Sequence, residues 1–351
     1  MVTVVLAMLV GIGVVAYNVG LPFFPGGGAR VSDYTGEGKG PLVQVVVPRG
    51  ATGTAIAKVL VEADVVATEN AFVSAYKANP SATSIQPGTY NMNTQMSAAV
   101  ALAWLLDPNR RATLRVTIPE GRNEAQILQL ISERTPISLA DLQAAVADPA
   151  SIGLPEQAGG IVEGWLFPAT YDIEPDATAV SVLSQMTAKT VEVLRSRDVP
   201  ESRWQTVLIK ASMIEREAGR DVDRAPMARA IENRLARDMV LQIDATVEYG
   251  AGRTVAQMTP QEWVAARSDP SNLYNTYLHR GLPPGPIASP GAASIDAVLS
   301  PAQGDWLYWV TVNPATKETK FATTLAEHQQ YIEELRAWVA EQRAATASPA
   351  P

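Results

Sequence analysis

One carboxyl group stands where a sequence could do chemistry. A helix is expected over residues 204–218, and on it Leu208, Ala211, Ser212, Glu215 and Gly219 share a stripe, at spacings of three and four. Every member except Glu215 is apolar or small. No cation lies at pairing distance along the helix, so this carboxyl is expected partly out of water with room for a substrate, as a general acid requires. A structural glutamate bonded to a neighbouring element would fit the same stripe. Glu217 points elsewhere, can pair with Arg220 three residues on, and reads as a surface or structural charge.

Other segments supply groups that could hold a sugar polymer. Residues 162–171 (VEGWLFPATY) concentrate aromatics, a glycine and a carboxylate, with Trp165 a stacking platform or a core plug and Glu163 a candidate second carboxylate. Gln242, Asp244 and Thr246, then Tyr274, Asn275, Thr276 and Tyr277, add amides, hydroxyls and rings in turn-like settings, followed by the Pro-rich run 283–286. Each could equally be loop architecture. Two motif matches are chance. Residues 11–16 fit a dinucleotide-binding glycine pattern but lie in an apolar run with no preceding strand, and Ser74-Ala75-Tyr76-Lys77 lacks the partner motifs of penicillin-binding enzymes.

Composition excludes several classes. The chain has no cysteine, which removes thiol nucleophiles, Cys-ligated zinc and disulfides. Two separated histidines, His279 and His328, do not make a His-based metal centre, and no cofactor is expected. A net charge of −8 argues against nucleic acid, whose binding depends on neutralising phosphates.

The elements that must position these groups follow from periodicity and punctuation. Residues 2–17 are uncharged and apolarity resumes at 21–24, close to the roughly 20 residues that span a bilayer. A single-pass anchor over 1–24 is expected, with the rest of the chain outside the cell membrane; a cleaved signal peptide is the rival. Residues 25–41 read as a flexible tether and 344–351 as a disordered tail. Between them an echo recurs. Residues 43–50 (VQVVVPRG) and 114–121 (LRVTIPEG) each read as a strand closed by Pro-x-Gly, and each is followed by a helical pattern. The first unit, 42–108, runs strand, helix, helix, turn, strand, an order resembling a LysM-like module. A second small α/β unit covers 109–180 and a mostly helical catalytic domain 181–343. The fold class expected is α+β and multidomain: an N-terminal transmembrane helix, the LysM-like α/β module, the second small α/β unit, and the helical domain with a few strands. Within that domain Pro226 is expected at a helix start, a strand over 306–312 and a helix over 325–342.

Five segments in this order, VEGWLFPATYDI, ASMIEREAG, IENRLARDMVLQIDATVEYG, NLYNTYLHRGLPPGPIASPG and FATTLAEH, resemble the YceG-like family of endolytic murein transglycosylases. The resemblance spans about residues 42–331. It implies that Glu215 is the catalytic acid/base, that the VEGW and Tyr-Asn-Thr-Tyr segments help form a cleft, and that the substrate is peptidoglycan glycan, cut between N-acetylmuramic acid and N-acetylglucosamine with a 1,6-anhydro end. Peptidoglycan synthases are natural partners. The rivals are a hydrolase using Glu163 or Asp244 as its second carboxylate, and a non-catalytic peptidoglycan-binding scaffold.

Overall fold

The computed structural model describes residues 32–48, 50–112 and 114–347. Among them no helix is long and apolar enough to cross a membrane. The transmembrane helix of the expected fold class is thus not found among the described residues; residues 1–24, where it was placed, lie outside them, as does the end of the expected tail. The described chain holds twelve α-helices and three two-stranded antiparallel sheets. It divides into two units at Ala112/Thr113.

The first unit runs β1 (Leu42–Val47), α1 (Gly53–Glu62), α2 (Glu69–Ala78), β2 (Gly88–Asn93) and α3 (Ala98–Leu106). β1 and β2 pair antiparallel, from Leu42 opposite Asn93 to Val47 opposite Gly88. Alternation drives β1: Val45 and Val47 are buried while Val46 is exposed. Thr52 and Thr68 cap α1 and α2, each accepting from the backbone N–H three residues on. Ile56, Leu60, Phe72, Met92 and Leu102 close the core. Residues 32–41, placed in the expected tether, are bonded to this unit: Asp33 accepts from Ala98 N, and Tyr34 donates to Asp64.

The second unit opens with the same order. β3 (Leu114–Thr117) leads to α4 (Glu124–Arg134), α5 (Leu139–Val146) and β4 (Thr170–Ile173), and β3 pairs antiparallel with β4. Here too the core is completed by the helix that follows the second strand. Ile127, Leu128 and Ile131 of α4 pack with Val162 and Leu166 and with Val182, Leu183 and Met186 of α6 (Ala179–Arg195). Beyond it come α7 (Trp204–Glu217), α8 (Asp221–Ala236), α9 (Asp244–Ala251), α10 (Pro260–Arg267), α11 (Ala292–Leu299), the hairpin β5 (Tyr308–Asn313)–β6 (Glu318–Ala322), and α12 (Leu325–Ala347). Pro226 lies inside α8, one turn past its start; its missing N–H leaves the carbonyl of Val222, an exposed residue, without a helix partner.

Candidate active site

Helix α7 forms because Trp204, Val207, Leu208, Ala211 and Ser212 recur at helical spacing, and all are buried. Continuing that stripe brings Glu215 to the end of the helix with its side chain 6% exposed. Ser212 ties the stripe to the Pro-rich loop: its Oγ donates to Ile209 O and accepts from Ile287 N at 3.0 Å.

The Glu215 carboxylate is gripped. Its Oε2 accepts from Ser294 Oγ at 2.8 Å, Gly291 N at 3.0 Å and Arg224 Nη1 at 3.1 Å, and its Oε1 accepts from Arg224 Nη2 at 3.3 Å. Arg224 also donates to Ser294 and to Asp221. The cation-free surroundings expected for Glu215 are therefore corrected. None lies along its own helix, but α8 brings a guanidinium, and with side-chain exposures of 11% and 6% this is a buried pair.

The Pro119-Glu120-Gly121 turn after β3 comes up to the same carboxylate. Gly121 has φ of +74°, where a side chain is strained, and a β-carbon there would lie 3.7 Å from Glu215 Cγ. Gly121 N donates to Ser289 O at 3.0 Å and Ser289 N to Arg122 O at 2.8 Å, which locks the turn to residues 287–291. The Glu120 carboxylate rests on Gly291, leaving no room for a β-carbon. Partial burial and then the Glu215 charge push Glu120 above the ordinary carboxylate range, against the lowering pull of Arg224. Sequence reasoning missed Glu120, Arg224 and Ser294.

Two cavities open near the end of α7, and Glu215 lines neither. One, of about 240 Å3, is lined by Gly121, Asn123, Gln126, Arg216, Glu248, Tyr249 and Thr254 among others. The other, of about 560 Å3, is lined by Glu217, Gln242, Asp244, Tyr277, Trp309 and His328 among others. Arg216 and Ala245 face the first, Glu217 and Asp244 the second, so the two lie on either side of the junction between the end of α7 and the start of α9.

The residues expected to bind substrate divide accordingly. Gln242, Asp244 and Tyr277 line the larger cavity, and Tyr277 donates its hydroxyl to Asp244. Tyr274 is half-buried, its ring 4.8 Å from that of Tyr249. Glu163 does not reach Glu215. It is buried, accepts from Glu124 N at the start of α4, from Gly164 N and from Tyr249, and burial pushes it up to about 7. Trp165 is corrected as a stacking platform: it has no exposed surface, packs edge-on against Trp204 and donates to Gln205. Thr246, Asn275 and Thr276 are likewise fully buried. The two threonine hydroxyls bond each other, and the Asn275 amide donates to three backbone carbonyls at residues 266–269. They shape the loops without facing a cleft.

Glu217 is also corrected. It makes no pair with Arg220, which binds Asp223 instead. Its carboxyl is packed at the start of α9, bonded by Ala245 N and the Trp309 side chain, and burial followed by repulsion from Asp244 pushes it up to about 7. Among the described residues no group of histidines and carboxylates could hold a metal ion.

The segments that build this site are those of a known family. Residues 45–334 match the YceG-like family. The chain belongs to that family. It is 31% identical over 308 residues to the endolytic murein transglycosylase of Bacillus subtilis (strain 168), covering 82% of this chain and 83% of that one. An endolytic murein transglycosylase of Streptococcus pneumoniae serotype 2 is 27% identical over 83% of this chain; the match spans 58% of that longer protein. The crystal structure of a YceG-like protein from Listeria monocytogenes superposes with a TM-score of 0.53 at 28% identity, covering 83% of this chain and 99% of the other. In this YceG-like chain, the ASMIEREAG, PPGPIASPG and IPEG stretches meet at Glu215, together with Arg224 and Ser294.

Proposed function

We propose that this chain is an endolytic murein transglycosylase, with Glu215 as acid/base, cutting glycan strands to leave a 1,6-anhydro-muramoyl end. The observation that carries the reading is the Glu215 carboxylate itself, nearly buried and held in one orientation by Ser294, Gly291 and Arg224, in a chain whose relatives bear that activity in their names.

The reaction needs one carboxyl group that gives a proton at one stage and takes one at the next. A carboxylic acid gives its proton to the glycosidic oxygen as the bond to C1 of the muramoyl residue breaks. The resulting carboxylate takes the proton from that residue's 6-hydroxyl as O6 bonds to C1. No water is consumed, and the tethered hydroxyl has a high effective molarity. A hydrolase would instead need a second carboxylate to activate water or attack C1. Of the two second carboxylates the sequence offered, neither Glu163, bound to Glu124 N and Tyr249, nor Asp244, in the cavity shared with Glu217, bonds to Glu215 or its donors.

On this reading the enzyme works outside the cytoplasm, on nascent strands beside the synthases that make them. The βααβ order of residues 42–93 suits a LysM-like module that holds glycan.

Mass spectrometry of fragments released from uncrosslinked strands tests the reading. Anhydro-ended fragments that disappear with Glu215→Gln are expected. Reducing ends would replace this reading with a hydrolase, and binding without fragments from either protein would replace it with a scaffold.

A further inference from the structure

Glu120 is unlike the other carboxylates near the site. It belongs to a turn clamped by two backbone bonds to residues 287–291, and its carboxylate rests on Gly291. The N–H of that same glycine donates to Glu215 Oε2. Two carboxyl groups thus bracket one residue. Their bonding differs: Glu215 is held by Ser294, Gly291 and Arg224, whereas among the described residues none donates a hydrogen bond to Glu120, which is exposed.

We propose that Glu120 is a second proton-carrying group of the catalytic site, paired with Glu215 across Gly291. The inference rests on the transglycosylase reading. In that reaction the leaving oxygen gains a proton as its bond to C1 breaks, and O6 loses a proton as it bonds to C1. The site therefore begins and ends with the same proton count. Two carboxyl groups, one protonated while the other is ionised, satisfy both halves, and the Glu215 charge disfavours a second charge on Glu120. The charged groups facing the pair are Arg224 and Asp221 from α8 and Arg216 from α7, whose guanidinium donates to Gly121 O. Partial desolvation of its carboxyl and then the Glu215 charge raise Glu120, against the lowering pull of Arg224. The pattern Pro-Glu-Gly recurs from the first unit as Pro-Arg-Gly, so the carboxylate is a property of the second turn and not of the turn type.

The experiment is kcat and KM against pH for the full chain and its Glu120→Gln, Glu120→Asp and Glu215→Gln variants, on uncrosslinked glycan strands. Glu120→Gln is expected to lower kcat about 10- to 100-fold with KM little changed, and to move the alkaline limb of the profile to lower pH. Glu120→Asp is expected to show a smaller displacement in the same direction, and it carries the test should the Gln variant fail to fold. A limb at the parental pH in the folded variant overturns the proposal, whatever the loss in kcat, because a merely structural residue would leave the limb in place. An active Glu215→Gln would defeat the transglycosylase reading and the pair with it. An inactive Glu215→Gln beside parental limbs for both Glu120 variants would defeat the pair alone.

Discussion

The two βααβ stretches of this chain share a local grammar and differ in what their first turn meets. In each, a strand ends in Pro-x-Gly with the glycine left-handed, φ being +70° at Gly50 and +74° at Gly121. A β-carbon at Gly50 would meet nothing within 4 Å, whereas one at Gly121 would touch Glu215. The connection between second helix and second strand is short in the first stretch, residues 79–87, and long in the second, residues 147–169. The longer one carries Val162 and Leu166 into the core shared with α6 and brings Glu163 to the start of α4. Each stretch completes its core with the helix after its second strand, α3 in the first and α6 in the second. The same turn thus meets nothing in one place and part of the proposed catalytic centre in the other, and what distinguishes them is the tertiary surface beneath it.

Substitutions can break or sharpen that contrast. The largest effect is expected at Arg224. Arg224→Met strands the Glu215 carboxylate without its cation, and breaking a buried pair from one side costs roughly 3–5 kcal/mol; thermal or urea unfolding would read it. Next is Gly291→Ala, whose methyl would overlap the Glu120 carboxylate. The methyl meets the far end of an exposed side chain that can swing aside, so stability should change little, while reduced turnover is expected because Glu120 is displaced from its place beside Gly291, which donates to Glu215. A matched pair of alanine variants then isolates the turn. Gly50→Ala and Gly121→Ala should each cost about 1–2 kcal/mol, since both place a side chain in left-handed backbone, but only Gly121→Ala should lower the rate of strand cleavage. Equal rates in the two would dissolve the contrast.

The smallest effect concerns pH. Glu217 and Glu163 are each pushed up from 4.5 to about 7. The folded state therefore binds more protons than the unfolded chain across that interval, so stability falls as pH rises from about 4.5 through about 7. Glu217→Gln keeps an oxygen for Ala245 N and the Trp309 side chain but cannot ionise. Its melting temperature should exceed the parent's above neutrality and depend less on pH.

How much of this was written in the sequence depends on the kind of signal. The echo of 43–50 in 114–121 and the stripe ending at Glu215 were legible, because alternation and helical spacing are local. Arg224 was not: it reaches Glu215 from a different helix, and which of α8's arginines turns inward is decided by packing. Glu120 looked like any polar residue in a turn, and only the docking of residues 287–291 gives it a neighbour. Trp165 was read as a platform or a plug because an aromatic in a segment without period gives no direction; Trp204 and Gln205 make it a plug. Asn275 and Thr276 had the chemistry of sugar binders, and the same donors serve buried loop carbonyls equally well. Glu217 was assigned to Arg220 by spacing, yet the start of α9 offers it a backbone N–H instead.

The account turns on Glu215, and the most direct measurement is the turnover of uncrosslinked glycan strands by Glu215→Gln beside the parent, with strand binding followed in the same samples. A fall in kcat of about 10²- to 10⁴-fold with binding retained is predicted for loss of a positioned acid/base. Turnover within about tenfold of the parent, less than such a group contributes, would contradict it and place the chemistry elsewhere.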